Sequence, residues 1–221
     1  MAIGKAIVFE NRDKYKTPIK TTANANEEIN NFTNALPVAI EKIEILKRKL
    51  AINLPKDELE IFESYSAMVN DPEVIEKTIS LIDNYNCNAD FAYYEISKEF
   101  IDTLEQIDDP YLKQRAEDLK MISKMIIEIL QGNKYNSQDL SSPSIVVAEK
   151  INTAQLAELN QEYLLGLITS KGGITDHTSI IAKALGIPYL LEVKEAHQKI
   201  KTNDLLVIDS KNNCVHYNLN K

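Results

Sequence analysis

Residues 2 to 9, AIGKAIVF, form one short β-branched run closed by the polar ENRDK, and they read as a strand with no partner near them in sequence. From about residue 24 to residue 131 the apolar positions fall at helical spacing instead, as Ile29, Phe32, Leu36, Ile40, Ile43 and Leu50 show. After the polar NKYNSQDLSSPS, strands return. IVVAEK (145–150), LLGLIT (164–169), PYLLEV (188–193), DLLVIDS (204–210) and CVHYNL (214–219) are separated by the helical TAQLAELNQEY (153–163) and 177–185, and KNN marks a hairpin turn before the last strand. Strands alternating with helices predict an α/β unit, a swivelling or carrier-like layer of sheet and helices. The isolated first strand most simply belongs to that sheet, so the helical stretch is an insertion with its own bundle. The expected division is 1–20 and 141–221 for the α/β domain and 21–140 for the inserted all-α domain.

Within the insertion the spacing predicts helices over 26–51, 57–69, 71–84, 88–107 and 110–131. Asp71-Pro72 and Asp109-Pro110 read as an N-cap followed by proline at the first helical position, and Gly132 as a C-terminal stop. Pro37 lies inside the first periodic run. It lacks a backbone donor and is expected to kink or interrupt that helix.

Composition sets the remaining limits. A chain of 221 residues with 44% hydrophobic content can build a core in each of one or two domains. There is no uninterrupted apolar run of about 18 residues and no secretory pattern at the start, so no membrane segment is expected and the cytoplasm is the expected compartment. Cys87 and Cys214 stand far apart without a CxxC pair and are expected to be free thiols. The net charge of -8 argues against nucleic acid, whose phosphates demand a basic surface. A basic or neutral protein partner stays open.

The chemistry concentrates in SKGGITDHTSIIAKALGIPY, residues 170 to 189, where one of three histidines follows two of six glycines. A histidine at the first turn of a helix has unpaired backbone N–H groups and the positive end of the helix dipole beside it, which is an anion-binding setting. For a phosphoryl group on His177, those N–H groups and the hydroxyls of Thr175, Thr178 and Ser179 would be the ligands. Gly172 and Gly173 would let the backbone approach. A neutral imidazole is a competent nucleophile near pH 7, provided its second nitrogen has an orienting partner. The residues alone equally allow a histidine that caps the helix or is partly buried. His197 and His216 have no metal-ligand spacing to His177, GGITDH is not followed by the Lys-Ser/Thr of a Walker loop, and no nucleophile elbow occurs.

GGITDHTSIIAKALGIP resembles the phosphohistidine signature of phosphoenolpyruvate-utilising enzymes. AIGKA at 2–6, IFESYSAMVNDPEV at 61–74, DDPYLKQRAEDL at 108–119 and TAQL at 153–156 narrow the likeness to the N-terminal half of the enzyme I family of the bacterial phosphoenolpyruvate:sugar phosphotransferase system. The resemblance implies an α/β phosphohistidine domain with an inserted helical domain that docks the phosphocarrier protein HPr. It implies His177 as phosphoacceptor on the ring nitrogen distant from the backbone, Thr153 as the hydroxyl holding the other nitrogen, and Lys183 where the family has Arg. Tyr65, Met68, Asp71 and Glu73 match HPr-contact positions, and Arg115 a basic position of either docking or structural use. A separate barrel domain, absent from these 221 residues, would bind phosphoenolpyruvate and magnesium, so no cofactor is expected in this chain. That barrel would be the chain's second partner, and phosphoenolpyruvate alone should not phosphorylate it.

The chain also departs from the pattern. Ile174 replaces a basic residue and Asp176 a serine, so Asp176 either points at the site and repels a phosphoryl group or serves as a helix N-cap. Lys183 keeps a charge but not the bidentate fork of Arg. From Asp57 to Glu76 the carboxylates Asp57, Glu58, Glu60, Glu63, Asp71, Glu73 and Glu76 occur without a basic residue. With Phe62, Tyr65, Met68 and Val69 interleaved, the segment reads as a solvated face or as an apolar strip with an acidic rim that suits a small basic protein. The expected function is phosphoryl transfer between His177 and the HPr histidine. The alternative is a non-catalytic protein that sequesters HPr through the same surface.

Overall fold

The computed structural model describes residues 1–9, 17–22, 24–51, 54, 56–132, 140–174 and 176–217. The chain divides into two compact units, one of Met1–Asp13, Lys49–Leu59 and Ser137–Lys221, the other of Lys14–Arg48 and Glu60–Asn136. Residues 49–59, expected in the helical insert, group with the first unit.

The first unit is a six-stranded sheet of β1 (Ala2–Phe9), β2 (Ser144–Ala148), β3 (Leu164–Thr169), β4 (Tyr189–Leu190), β5 (Leu205–Asp209) and β6 (Cys214–Tyr217), ordered β4-β3-β2-β1-β5-β6. β1 lies inside the sheet, parallel to β2 with Ile7 opposite Val146, and antiparallel to β5 with Ile3 opposite Val207. Strands β1 to β4 are parallel, and β5–β6 closes the far side as a hairpin. β2 is buried at all five positions, as a central strand covered on both faces must be. Ala6, Ile145, Val147, Ile168, Leu206 and Ile208 join in one core cluster.

Three short helices connect these strands: α6 (Thr153–Glu158), α7 (His177–Ala184) and α8 (Ala196–Lys199). α6 opens on a reciprocal capping box between Asn152 and Gln155 and ends sooner than the expected 153–163, because Leu159 turns extended and is buried. The expected strand 188–193 reduces to two residues. Glu192 has a φ of 56° and Glu195 one of 57°, left-handed values that end pairing and lead into α8, which the sequence pattern does not predict.

The second unit is helical and holds the long helices except for residues 49–51 and 56–59, which group with the first. The long helices α1 (Ala25–Ala51), α2 (Lys56–Val69), α3 (Pro72–Tyr85), α4 (Ala89–Gln106) and α5 (Pro110–Leu130) run close to their expected bounds; to keep chain order, the helices named above follow them. Phe32 and Tyr93 pack with ring centroids 5.6 Å apart, and Ile43, Ile82, Ile122 and Ile126 are fully buried. Asp71 accepts from the N–H groups of Glu73 and Val74, Asp109 from that of Leu112, and Gly132 takes a φ of 64° after α5. The extended segment before α1 is tied down at Asn88, whose side chain accepts from Lys20 N–H and donates to the Pro18 carbonyl.

Of the kink or interruption expected at Pro37, the interruption does not occur, since α1 continues through it. Pro37 lies on the exposed side, where water can take up the carbonyl that loses its donor. Phe32, Ala35, Leu36 and Ala39 on the other side stay buried, and their burial outweighs one missing hydrogen bond.

Candidate functional site

In the sheet unit β3 ends at Thr169, and the chain runs through Ser170, Lys171, Gly172 and Gly173 into α7, whose first residue is His177. The histidine therefore sits beyond the carboxyl end of a parallel strand, where open α/β sheets place ligands. It is half-buried, with Nδ1 enclosed. Thr175, expected in the phosphate loop, lies outside the described residues.

The glycine loop is bound to the start of α7 through both backbone groups of Gly173. Gly173 N–H donates to Asp176 Oδ2 at 2.8 Å, and the Gly173 carbonyl accepts from Ser179 Oγ at 2.6 Å and from Asp176 N–H at 3.2 Å. Asp176 holds the N-cap position with extended backbone, yet its side chain makes no cap hydrogen bond. The carboxylate turns back over the loop instead, so neither simple expectation for Asp176 describes it. The Ser179 and Thr178 hydroxyls, expected to face an anion, are buried among protein groups, with Ser179 on Gly173 and Thr178 Oγ1 3.4 Å from Thr153 Oγ1. Thr153, the first residue of α6, is thereby seated against the residue that follows His177.

Further polar contacts frame the loop. Tyr189 and Thr169 hydroxyls are 3.1 Å apart; burial pushes the Tyr189 phenol up, against the Thr169 hydrogen bond, and the Asp176 charge adds to the rise. Ser170 Oγ lies 2.7 Å from His197 Nδ1. Lys171 pairs with Glu149 at 2.6 Å and holds its carboxyl below the usual range. Lys183 is exposed in the last turn of α7, about 9 Å along the axis from His177. Of these contacts only the α7 start was legible in sequence. Ser170–His197 and Tyr189–Thr169 join residues 27 and 20 positions apart, with no motif to announce them.

In the helical unit the expected docking strip divides. Phe62, Tyr65 and Val69 are core residues, with Tyr65 1% exposed, its ring edge-on to Phe62 and its hydroxyl 3.4 Å from Asp118 Oδ1. Tyr65 thus does not present a surface to a partner; the apolar spacing of α2 marks its buried stripe. Met68 is half-buried at the edge, against Ile101, Ala116 and Leu119. Arg115 is held inside its own unit by hydrogen bonds to Tyr111 Oη at 3.1 and 3.0 Å, by stacking 5.0 Å from that ring, and by Asp118 Oδ2 at 3.6 Å. Asp71 spends its carboxylate on the α3 cap. Glu73 is exposed and pairs with Lys77 at 3.0 Å, while Glu63 pairs with Lys47, so bases outside the acidic run neutralise part of it.

Among the described residues no group of three or more His, Cys, Asp or Glu could hold a metal ion, and Cys87 and Cys214 are free. No helix there is long and apolar enough to cross a membrane.

The model of the PEP-utilising enzyme N-terminal family matches residues 1–115, and that of the PEP-utilising enzyme mobile domain matches residues 140–213. A phosphoenolpyruvate-protein phosphotransferase of Buchnera aphidicola is 31% identical over 221 residues, and one of Haemophilus influenzae is 30% identical over 220. Each alignment covers 99% of this chain, which spans 38% of the length of either relative. An NMR solution structure of Enzyme I (nEIt) superposes with a TM-score of 0.78 at 33% identity, over 98% of this chain and 88% of that one.

Proposed function

Because the chain belongs to the phosphoenolpyruvate-utilising enzyme family, corresponding to the N-terminal half of enzyme I, we propose that it carries a phosphoryl group on His177 and exchanges it with the histidine of HPr. The observation that carries this reading is the placement of His177 as the first residue of α7, directly beyond the glycine loop at the carboxyl end of β3. Enclosure of Nδ1 leaves Nε2 as the nucleophile.

In the exchange, the lone pair of Nε2 forms the new N–P bond as the donor's N–P bond breaks and its electron pair returns to the donor ring. The acceptor ring gives up the Nδ1 proton and the donor ring regains one, so the reaction balances. Both states are phosphoramidates of similar energy, and the protein's work is in-line positioning and charge stabilisation. Thr153, seated beside the α7 start, is the hydroxyl proposed to orient Nδ1, and Lys183 the cation proposed to reach the phosphoryl group with its long stem.

On the helical unit the HPr surface is proposed to include Met68, Glu73 and the cap at Asp71, with a basic partner drawn by the carboxylates of α2 and α3. Tyr65 and Arg115 support that face from beneath. Phosphorylated HPr is expected to label the chain on His177 with an acid-labile, base-stable phosphate. Label retained in His177→Ala would overturn the assignment. HPr binding without any label in the wild type would favour the sequestering protein.

A further inference from the structure

The chain supplies an anion of its own to the loop that would receive the phosphoryl group. Asp176 Oδ2 accepts the Gly173 N–H at 2.8 Å, and the same oxygen lies 3.6 Å from where a β-carbon on Gly172 would stand, so the carboxylate covers both glycines. The Gly173 carbonyl, in the next peptide, accepts from Ser179 Oγ and Asp176 N–H. The Gly173 N–H could be offered to a phosphoryl oxygen without a competing anion only while this carboxylate is elsewhere. Asp176 also immediately precedes His177 in the chain, and no basic residue pairs with it among the described contacts.

Resting on the proposed reaction, we infer that Asp176 is a positioning residue that locks the glycine loop while His177 is unphosphorylated and lowers the stability of the phosphorylated state. The carboxylate holds the loop against α7 in the resting protein. When the phosphoryl group arrives with its near-double negative charge, the two anions compete for Gly173 N–H and repel each other. Either the lock opens or the phosphoryl group forgoes that donor. Both outcomes bias the exchange towards HPr, so the chain holds its phosphoryl group loosely and donates it readily.

Asp176→Asn separates charge from the lock, since an amide oxygen still accepts from Gly173 N–H. The measurement is the equilibrium of phosphoryl exchange between phosphorylated HPr and the 221-residue chain, read as acid-labile phosphate on each protein, for wild type, Asp176→Asn and Asp176→Ala at two salt concentrations. Removing the charge is expected to shift the equilibrium towards the phosphorylated chain by on the order of tenfold in Asp176→Asn, less at high salt. In parallel, the Gly173 amide resonance is expected to move on phosphorylation of the wild type far more than in Asp176→Ala, where no lock exists to open. An unchanged equilibrium in labelled Asp176→Asn overturns this inference and leaves the proposed function standing. Absence of label in all three proteins overturns the proposed function, and this inference with it.

Discussion

Gly172 has a φ of 130°, in the region that residues with a side chain rarely adopt, and a β-carbon there would meet Leu191 Cδ2 at 3.4 Å as well as Asp176 Oδ2. The second glycine of the pair does its work through its peptide groups, while the first makes the turn that presents them. Gly172→Ala is therefore expected to strain the loop by about 1–3 kcal/mol. Most of that cost should appear as slower labelling by phosphorylated HPr, since the loop can shift without unfolding the sheet. Normal labelling with a melting temperature equal to wild type would show that the left-handed turn is dispensable. The identity of Gly172 was legible in sequence as a glycine before a histidine; that Gly173 and not a bound anion would meet Asp176 was not, because it depends on a side-chain rotamer.

At the scale of elements, the acidic run from Asp57 to Glu76 belongs to two helices with different duties. α2 buries Ile61, Phe62, Tyr65 and Val69 and leaves its carboxylates outside, and α3 begins on the Asp71 cap. Reversing Asp71 would remove a cap worth about 0.5–2 kcal/mol and confuse docking with folding. Glu73 and Glu76 are exposed and spared that role, although Glu73 pairs with Lys77. Glu73→Lys with Glu76→Lys is expected to weaken HPr association mainly through the on-rate, with a loss that shrinks as salt rises. Titration at two salt concentrations checks it, and unchanged affinity at low salt would make this face a solvated one. The five helix bounds were readable from the 3.6-residue period because each helix buries one stripe. That period could not say whether the stripe faces a core or a partner, and Tyr65 fell on the side of the core.

For the molecule as a whole, the 221 residues hold the sheet unit and the helical unit and span 38% of the relatives they match. Incubated by itself with phosphoenolpyruvate and magnesium, this polypeptide is expected to take up no phosphate, while the same preparation accepts it from phosphorylated HPr. Turnover of phosphoenolpyruvate under those conditions, with mass spectrometry placing phosphate on His177, would show that the machinery for the first step lies within these residues.

Sequence by itself determined the five long helices between β1 and β2, the strand order along the chain, the caps at Asp71 and Asp109, and the histidine loop, since each is written in local chemistry: period, turn residues and caps act over a few positions. It also placed β1 in the later sheet, because a solitary strand has nowhere else to pair its backbone. Only the tertiary structure decided the short β4, the early end of α6, the uninterrupted α1 and the burial of Tyr65. It alone joined Asp176 to Gly173, Ser170 to His197 and Arg115 to Tyr111 and Asp118. Those outcomes depend on which groups packing brings within about 3–4 Å, where one buried face outweighs a proline and one rotamer chooses between capping a helix and locking a loop.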